Sequence, residues 1–170
     1  MTTSIDFGGE LRRLEGLECG GVTVGEGAGS YVTLRFGQKV EGVVAVESTA
    51  LPEVSRCNEG EFALSLQNCA WRLDADEMIC SSKSPNHNEG PMVRGMRLLV
   101  GQRVIGVVIT PPAHDLVVEF SGGYRLRLFC DCFDLEEDGD NYSFHSDRGI
   151  SVVRAGGMLV VESKRNPVVS

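Results

Sequence analysis

The chain has 170 residues, of which 42% are hydrophobic and 24% charged, a composition that fits one globular domain and excludes a long disordered chain. Its net charge of −8 disfavours nucleic-acid binding, because an extended polyanion would be repelled. No apolar run approaches the roughly 18 residues of a membrane span, and the first residues lack the features of a secretory signal. We therefore expect a cytoplasmic protein without a membrane or nucleic-acid partner, whose six cysteines are thiols.

The predicted strands recur in two similar sets along the chain. Leucine, glycine and β-branched positions return with the same spacing, and so do segments that alternate apolar and polar side chains. The matched segments are 14–24 with 99–109, 31–36 with 115–120, and 62–66 with 124–128. This order and spacing predict an internal duplication within a single compact domain, 1–170. The first copy covers 14–82, with an insertion at 38–59, and the second covers 99–144.

Alternation of apolar and polar residues is typical of antiparallel strands that bury one face. It is clearest where leucines alternate with polar residues, in 64–66 and in 126–128. A glycine pair predicts the turn of a C-terminal hairpin at 150–163, and the leucine spacing in 8–17 indicates a short helix. The predicted fold class is mainly β with little helix, in which two diverged copies of an antiparallel strand motif form a sandwich or a partly open barrel.

An aromatic residue follows the third strand of each predicted copy. Trp71 and Phe133 each precede a leucine by two positions and then an acidic turn. Equivalent aromatic positions in two copies of one motif are predicted to be core anchors rather than ligand platforms.

The two acidic turns are the candidate binding surface. Their candidate binding residues are Asp74, Asp76, Glu77, Asp134, Glu136, Asp138 and Asp140. Acidic side chains grouped in this way steer a basic protein into contact. The second turn also imitates the first half of a calcium loop, but its last position is a histidine instead of a bidentate glutamate, which favours a solvated turn.

Cys130, Cys132 and His145 are the candidate metal ligands. Residues two apart on a strand point to the same face, so the two sulfurs could share a metal ion with a histidine. The spacing matches no compact zinc-finger pattern, and free cysteine behaves as a small apolar side chain, which favours a core role. The chain has no phosphate-binding loop, dinucleotide fingerprint or nucleophile elbow, so we expect no cofactor and assign no catalytic residue.

The stretch CAWRL at 69–73, followed by an acidic turn and ICSS at 79–82, resembles a pattern in small uncharacterised β-rich bacterial proteins, some of them similar to immunity proteins of toxin systems. The resemblance covers 60–85 and, more weakly, 122–146, and it implies a compact binding protein without catalytic residues. The sequence thus favours a non-enzymatic acidic protein-binding module, either an immunity-like neutraliser of a basic toxin or a regulator. The alternatives are a small-molecule- or metal-binding β domain, with catalysis left open, and a homodimer formed through edge strands.

Overall fold

The computed structural model describes residues 6–28, 31–41, 58–133 and 139–163, so most of the predicted insertion lies outside the described residues. Two short helices are present in these ranges, α1 (Phe7–Arg12) and α2 (Pro91–Arg97). The strands are β1 (Cys19–Thr23), β2 (Val32–Glu41), β3 (Asn58–Leu66), β4 (Ala70–Asp74), β5 (Met78–Ser81), β6 (Val104–Thr110), β7 (Asp115–Phe120), β8 (Arg125–Phe129), β9 (Asp140–Ser146), β10 (Gly149–Arg154) and β11 (Leu159–Ser163). The predicted mainly β class with little helix is confirmed. No helix in these ranges has the length and apolar character needed to cross a membrane.

The strands form two antiparallel sheets that pack face to face as a sandwich. One sheet has six strands in the order β1-β2-β3-β9-β10-β11, and the other has five in the order β5-β4-β8-β7-β6. The inward-facing side chains of both sheets join in one buried cluster, which includes Leu34, Leu64, Leu116 and Leu126. Alternate residues of these strands face this cluster, so each sheet buries one face in the shared core.

The two halves of the chain have a similar order of elements and exchange strands. In the first half, α1 and the meander β1–β3 of the six-stranded sheet are followed by β4 and β5, which belong to the five-stranded sheet. In the second half, α2 and the meander β6–β8 of the five-stranded sheet are followed by β9–β11 of the six-stranded sheet. Each sheet therefore has a seam between strands of different halves, β3 with β9 and β4 with β8. The predicted duplication concerns ancestry and stays a prediction.

The segments that follow the two helices bind each other through equivalent hydrogen bonds. The Gly16 amide donates to the Val104 carbonyl at 2.8 Å, and the Gly101 amide donates to the Cys19 carbonyl at 2.8 Å. Both glycines have a positive φ, 89° and 86°, in the left-handed region that favours glycine. Helix α1 ends at Arg12, and the chain reaches Gly16 through turns with i→i+3 hydrogen bonds instead of as the helix to residue 17 that the leucine spacing had indicated.

A buried carboxylate attaches α1 to the turn between β9 and β10. The Glu10 side chain is only 7% exposed, and it accepts hydrogen bonds from Arg13 at 3.0 Å and from Arg148 at 2.6 Å. The Ser146 hydroxyl donates to the same carboxylate at 3.4 Å. Because a buried charge is tolerated when it is paired and hydrogen-bonded, this cluster fixes the helix against the six-stranded sheet.

Trp71 and Phe133 lie in different environments, so the prediction that both are core anchors is wrong for Phe133. Trp71 is 3% exposed within β4, whereas Phe133 is 78% exposed in the connection between β8 and β9. Leu128 pairs with Trp71 across one seam, and Leu66 pairs with Tyr142 across the other. Tyr142 therefore occupies the place in the second half that Trp71 occupies in the first. The connection between β8 and β9 is longer than that between β3 and β4, so β9 begins later in the chain than the aromatic spacing suggested.

Candidate binding surface

The acidic candidates that are described lie at opposite ends of β4. Asp76 and Glu77 are exposed in the turn after this strand. Asp140 lies near its start, where the Asn68 amide donates to the Asp140 carbonyl at 3.0 Å. At about 3.3 Å per residue, this strand alone is roughly 13 Å long. The remaining candidates, Asp134, Glu136 and Asp138, lie outside the described residues. The structure thus does not bring Asp140 together with Asp76 and Glu77, and the binding role of the candidates stays a prediction.

Asp74 is bound by two arginines and does not present a free carboxylate. The Nε atom of Arg72 donates to both carboxylate oxygens, at 2.8 and 3.0 Å, and the Nε atom of Arg127 donates to one of them at 3.1 Å. Asp140 also has a cationic neighbour, since its carboxylate lies 3.7 Å from the Nε atom of Arg154. Asp76 and Glu77 are thus the exposed pair among the four acidic candidates that can be placed.

The three predicted metal ligands do not converge. The Cys130 thiol donates to the His114 carbonyl at 3.5 Å. Cys132 lies on the same connection, with its amide donating to the Asn141 side chain at 3.1 Å. His145 lies on the face of β9 opposite the buried Phe144. Across 6–28, 31–41, 58–133 and 139–163, no group of three or more His, Cys, Asp or Glu side chains is arranged to hold a metal ion.

Burial keeps four of the thiols protonated. It raises the pKa of Cys19 and Cys80 to about 11, and that of Cys69 and Cys130 to about 12. The thiolate is the form that attacks substrates and binds metals, so these cysteines are poor nucleophiles near neutral pH. They act chiefly as small apolar side chains within the sandwich.

The outer face of the five-stranded sheet carries a surface that the sequence analysis did not single out. We call it the arginine face and define it by Arg72, Val108, Arg125, Arg127 and Phe129. Arg72 lies directly opposite Arg127 on the neighbouring strand. The exposed fractions of Arg125 and Val108 are both 55%, and Phe129 is 41% exposed. The alternation of Arg125, Arg127 and Phe129 with buried leucines places all three side chains on the solvent side.

Two carboxylates are paired with the arginines of this face. Asp74 joins Arg72 and Arg127, and Glu119 lies 3.3 Å from the Nε atom of Arg125. Three arginines are thus grouped on one face of a chain whose net charge is −8. Guanidinium groups beside exposed apolar side chains can bind a partner's carboxylates and cover its apolar area.

Comparison of the chain with protein-family models, with curated proteins and with solved structures gave no match.

Proposed function

We propose that this protein is a non-enzymatic protein-binding module and that the arginine face is its contact surface. The observation that carries the proposal is the grouping of three arginines with exposed Phe129 and Val108 on one face of the sheet. Arginine and aromatic residues are enriched in protein interfaces and among the residues that contribute most binding energy. The matching partner presents carboxylates next to apolar side chains.

Asp74 supports this proposal by ordering Arg72 and Arg127 before a partner arrives. Both guanidinium groups use their Nε atoms to bind the shared carboxylate. A partner carboxylate would then be bound by the terminal amino groups, whose planar fork suits bidentate pairing. Fixing a long side chain in advance reduces the ordering cost of association, which is about 0.5–1.5 kcal/mol per immobilised side chain.

The protonated thiols support the non-enzymatic part of the proposal. Cysteine is the most nucleophilic of the common side chains, and catalysis by cysteine depends on a lowered pKa. Burial raises the pKa of Cys69 and Cys130 instead, to about 12.

A second proposal keeps the basic partner that the net charge suggests, for example a basic toxin that the protein neutralises. Asp76 and Glu77 support it, since both are exposed in the turn between β4 and β5. An acidic protein attracts a basic partner over long range, and the attraction weakens as salt is added. The two proposals place the contact on different surfaces and are separated by the same experiment.

The test is a pull-down from the native host with the tagged full chain, at low and at high salt. The arginine-face variant is Arg125→Glu/Arg127→Glu, and the matched control is Arg94→Glu/Arg97→Glu on α2, where both arginines are exposed. We expect a partner that binds the wild type and the control but not the face variant. A partner retained by the face variant contradicts the proposed contact surface. Loss of that partner only in Asp76→Asn/Glu77→Gln would support the basic-partner proposal.

A further inference from the structure

Cys69 and Cys130 come from different halves of the chain and face each other across the β4–β8 seam. The last residue pair of this ladder is Ala70 with Phe129, and the next step of the same register places Cys69 opposite Cys130. A hydrogen bond of 2.9 Å from the Ala70 amide to the Asp131 side chain holds the two segments together just beyond the ladder. The two cysteines are therefore neighbours in space despite their distance in sequence.

Both sulfurs point into the sandwich. On β4 the alternating residues Trp71 and Leu73 are buried, and on β8 Leu126 and Leu128 are buried, so the preceding and following cysteines share this inner face. Cys69 is 4% exposed, whereas Cys130 is only partly buried. Their proximity also shows in their electrostatics, because after burial itself the charge of Cys69 is the next largest cause that raises the pKa of Cys130.

The spacing of such a pair suits a covalent bond between the sulfurs. Directly opposite residues of antiparallel strands have Cα atoms about 4.5–5.5 Å apart. Disulfides occur at Cα separations of about 4.4–6.8 Å, so the bond requires no large strand movement. Side chains on the same face of neighbouring strands also start with their Cβ atoms within reach of each other.

We propose that Cys69 and Cys130 form a reversible disulfide when the protein meets a low-molecular-weight disulfide such as oxidised glutathione. The thiolate of the more exposed Cys130 attacks one sulfur of the oxidant, which releases one glutathione and leaves a mixed disulfide. The thiolate of Cys69 then attacks the Cys130 sulfur and releases the second glutathione. The two protein thiols lose two electrons, the oxidant gains them, and the two thiol protons pass to the released glutathiones.

The reaction is slow near neutral pH and faster in alkali. Burial raises the pKa of both thiols to about 12, so the reactive thiolate is scarce at pH 7 and increases about tenfold per pH unit. The disulfide would bind β4 to β8 and so join the two halves of the chain at the seam. It does not depend on the proposed binding function, since the bond forms on the inner face of the sheet.

The experiment incubates the full chain with oxidised glutathione at several pH values, then blocks free thiols and maps the peptides by mass spectrometry. We expect one linked pair, Cys69 with Cys130, which dithiothreitol reverses and whose formation rate rises with pH. Cys69→Ser should stop at the mixed disulfide on Cys130. The matched control, Cys132→Ser, should form the Cys69–Cys130 pair at the wild-type rate.

Two results would overturn the proposal. One is that the native chain forms no Cys69–Cys130 link, although the same oxidant under the same conditions fully oxidises the chain unfolded in urea. The other is a map in which the main linked pair includes a different cysteine. Both results come from the wild-type protein, so the test does not depend on whether a cysteine variant folds.

Discussion

Phe36 and Phe120 stack between the two sheets, with ring centroids 6.3 Å apart and an interplanar angle of 19°. Both are fully buried, and they occupy equivalent places, since Phe36 pairs with Cys19 and Phe120 pairs with Val104 at the start of each meander. We expect Phe36→Leu and Phe120→Leu each to lower the free energy of unfolding by about 1–3 kcal/mol. The double variant should lose less than the sum, by roughly 0.5–1.5 kcal/mol. Urea unfolding of the four proteins measures this coupling, and strictly additive losses would show that the two rings do not interact.

Glu10→Gln should destabilise the protein because it removes the buried charge that Arg13 and Arg148 share. Hydrogen bonds to charged groups contribute about 1.5–3 kcal/mol each. Arg148 is 64% exposed, so solvent screens its pair, and we expect a total loss of about 1–3 kcal/mol. Glu26→Gln, at an exposed position, is the matched control. Equal unfolding midpoints for the two variants in urea would contradict the assigned role of Glu10.

Tyr142 and Phe133 should respond differently to substitution, because only Tyr142 lies in the core. Its hydroxyl donates to the His114 carbonyl at 2.8 Å, and its ring stacks on Phe7 with centroids 6.3 Å apart. Tyr142→Phe should cost about 0.5–1.5 kcal/mol through the lost hydrogen bond. Phe133→Ala should change the free energy of unfolding by no more than about 0.5 kcal/mol, since this ring is largely in solvent. Thermal unfolding of both variants measures the two effects. A large loss of stability in Phe133→Ala would contradict the register described for β9.

The stability should fall as the pH rises above 9. Burial raises the pKa of Cys19, Cys69, Cys80 and Cys130 from the ordinary value of 9.0 to about 11 or 12. Between these values the unfolded chain has lost protons that the folded chain retains, so unfolding becomes progressively easier. The stabilisation is complete below pH 9 and is lost as the pH approaches the folded-state pKa. Urea unfolding at pH 8, 9 and 10 tests this, and Cys69→Ala should show a weaker pH dependence than the wild type.

The strands were predictable from sequence to the extent that local patterns define them. Alternating leucines in 62–66 and 124–128 correspond to parts of β3 and β8, each with one buried face. Helix α2 was missed because Gly95 interrupts its apolar pattern, although this glycine has a packing role: a Cβ atom there would lie 2.6 Å from the Cys80 sulfur. The exchange of strands between halves was also missed, since a strand's own residues do not specify which distant strand it joins.

The candidate surface was only partly visible in the sequence. The alternation of Arg125 and Arg127 with leucines already predicted that both arginines lie on a solvent-exposed face. Their pairing with Arg72 and Asp74 depends on the register between β4 and β8, which no local pattern reveals. The number of acidic residues in the two turns predicted a binding surface there. A carboxylate such as Asp74 is less available to a partner, however, because two arginines already bind it.

The exchange of strands makes each half of the chain incomplete alone. If the backbone were cut after the exposed Lys83, the N-terminal fragment would keep β1–β5 and the C-terminal fragment would keep β6–β11. Each fragment would expose two unpaired strands, β3 and β4 in the first and β8 and β9 in the second, whose missing neighbours belong to the other fragment. We expect both fragments to be unfolded or aggregated separately and to regain native circular dichroism when they are co-refolded. A chain that behaves in this way can serve for fragment complementation, in which restored structure reports that two tethered proteins have met.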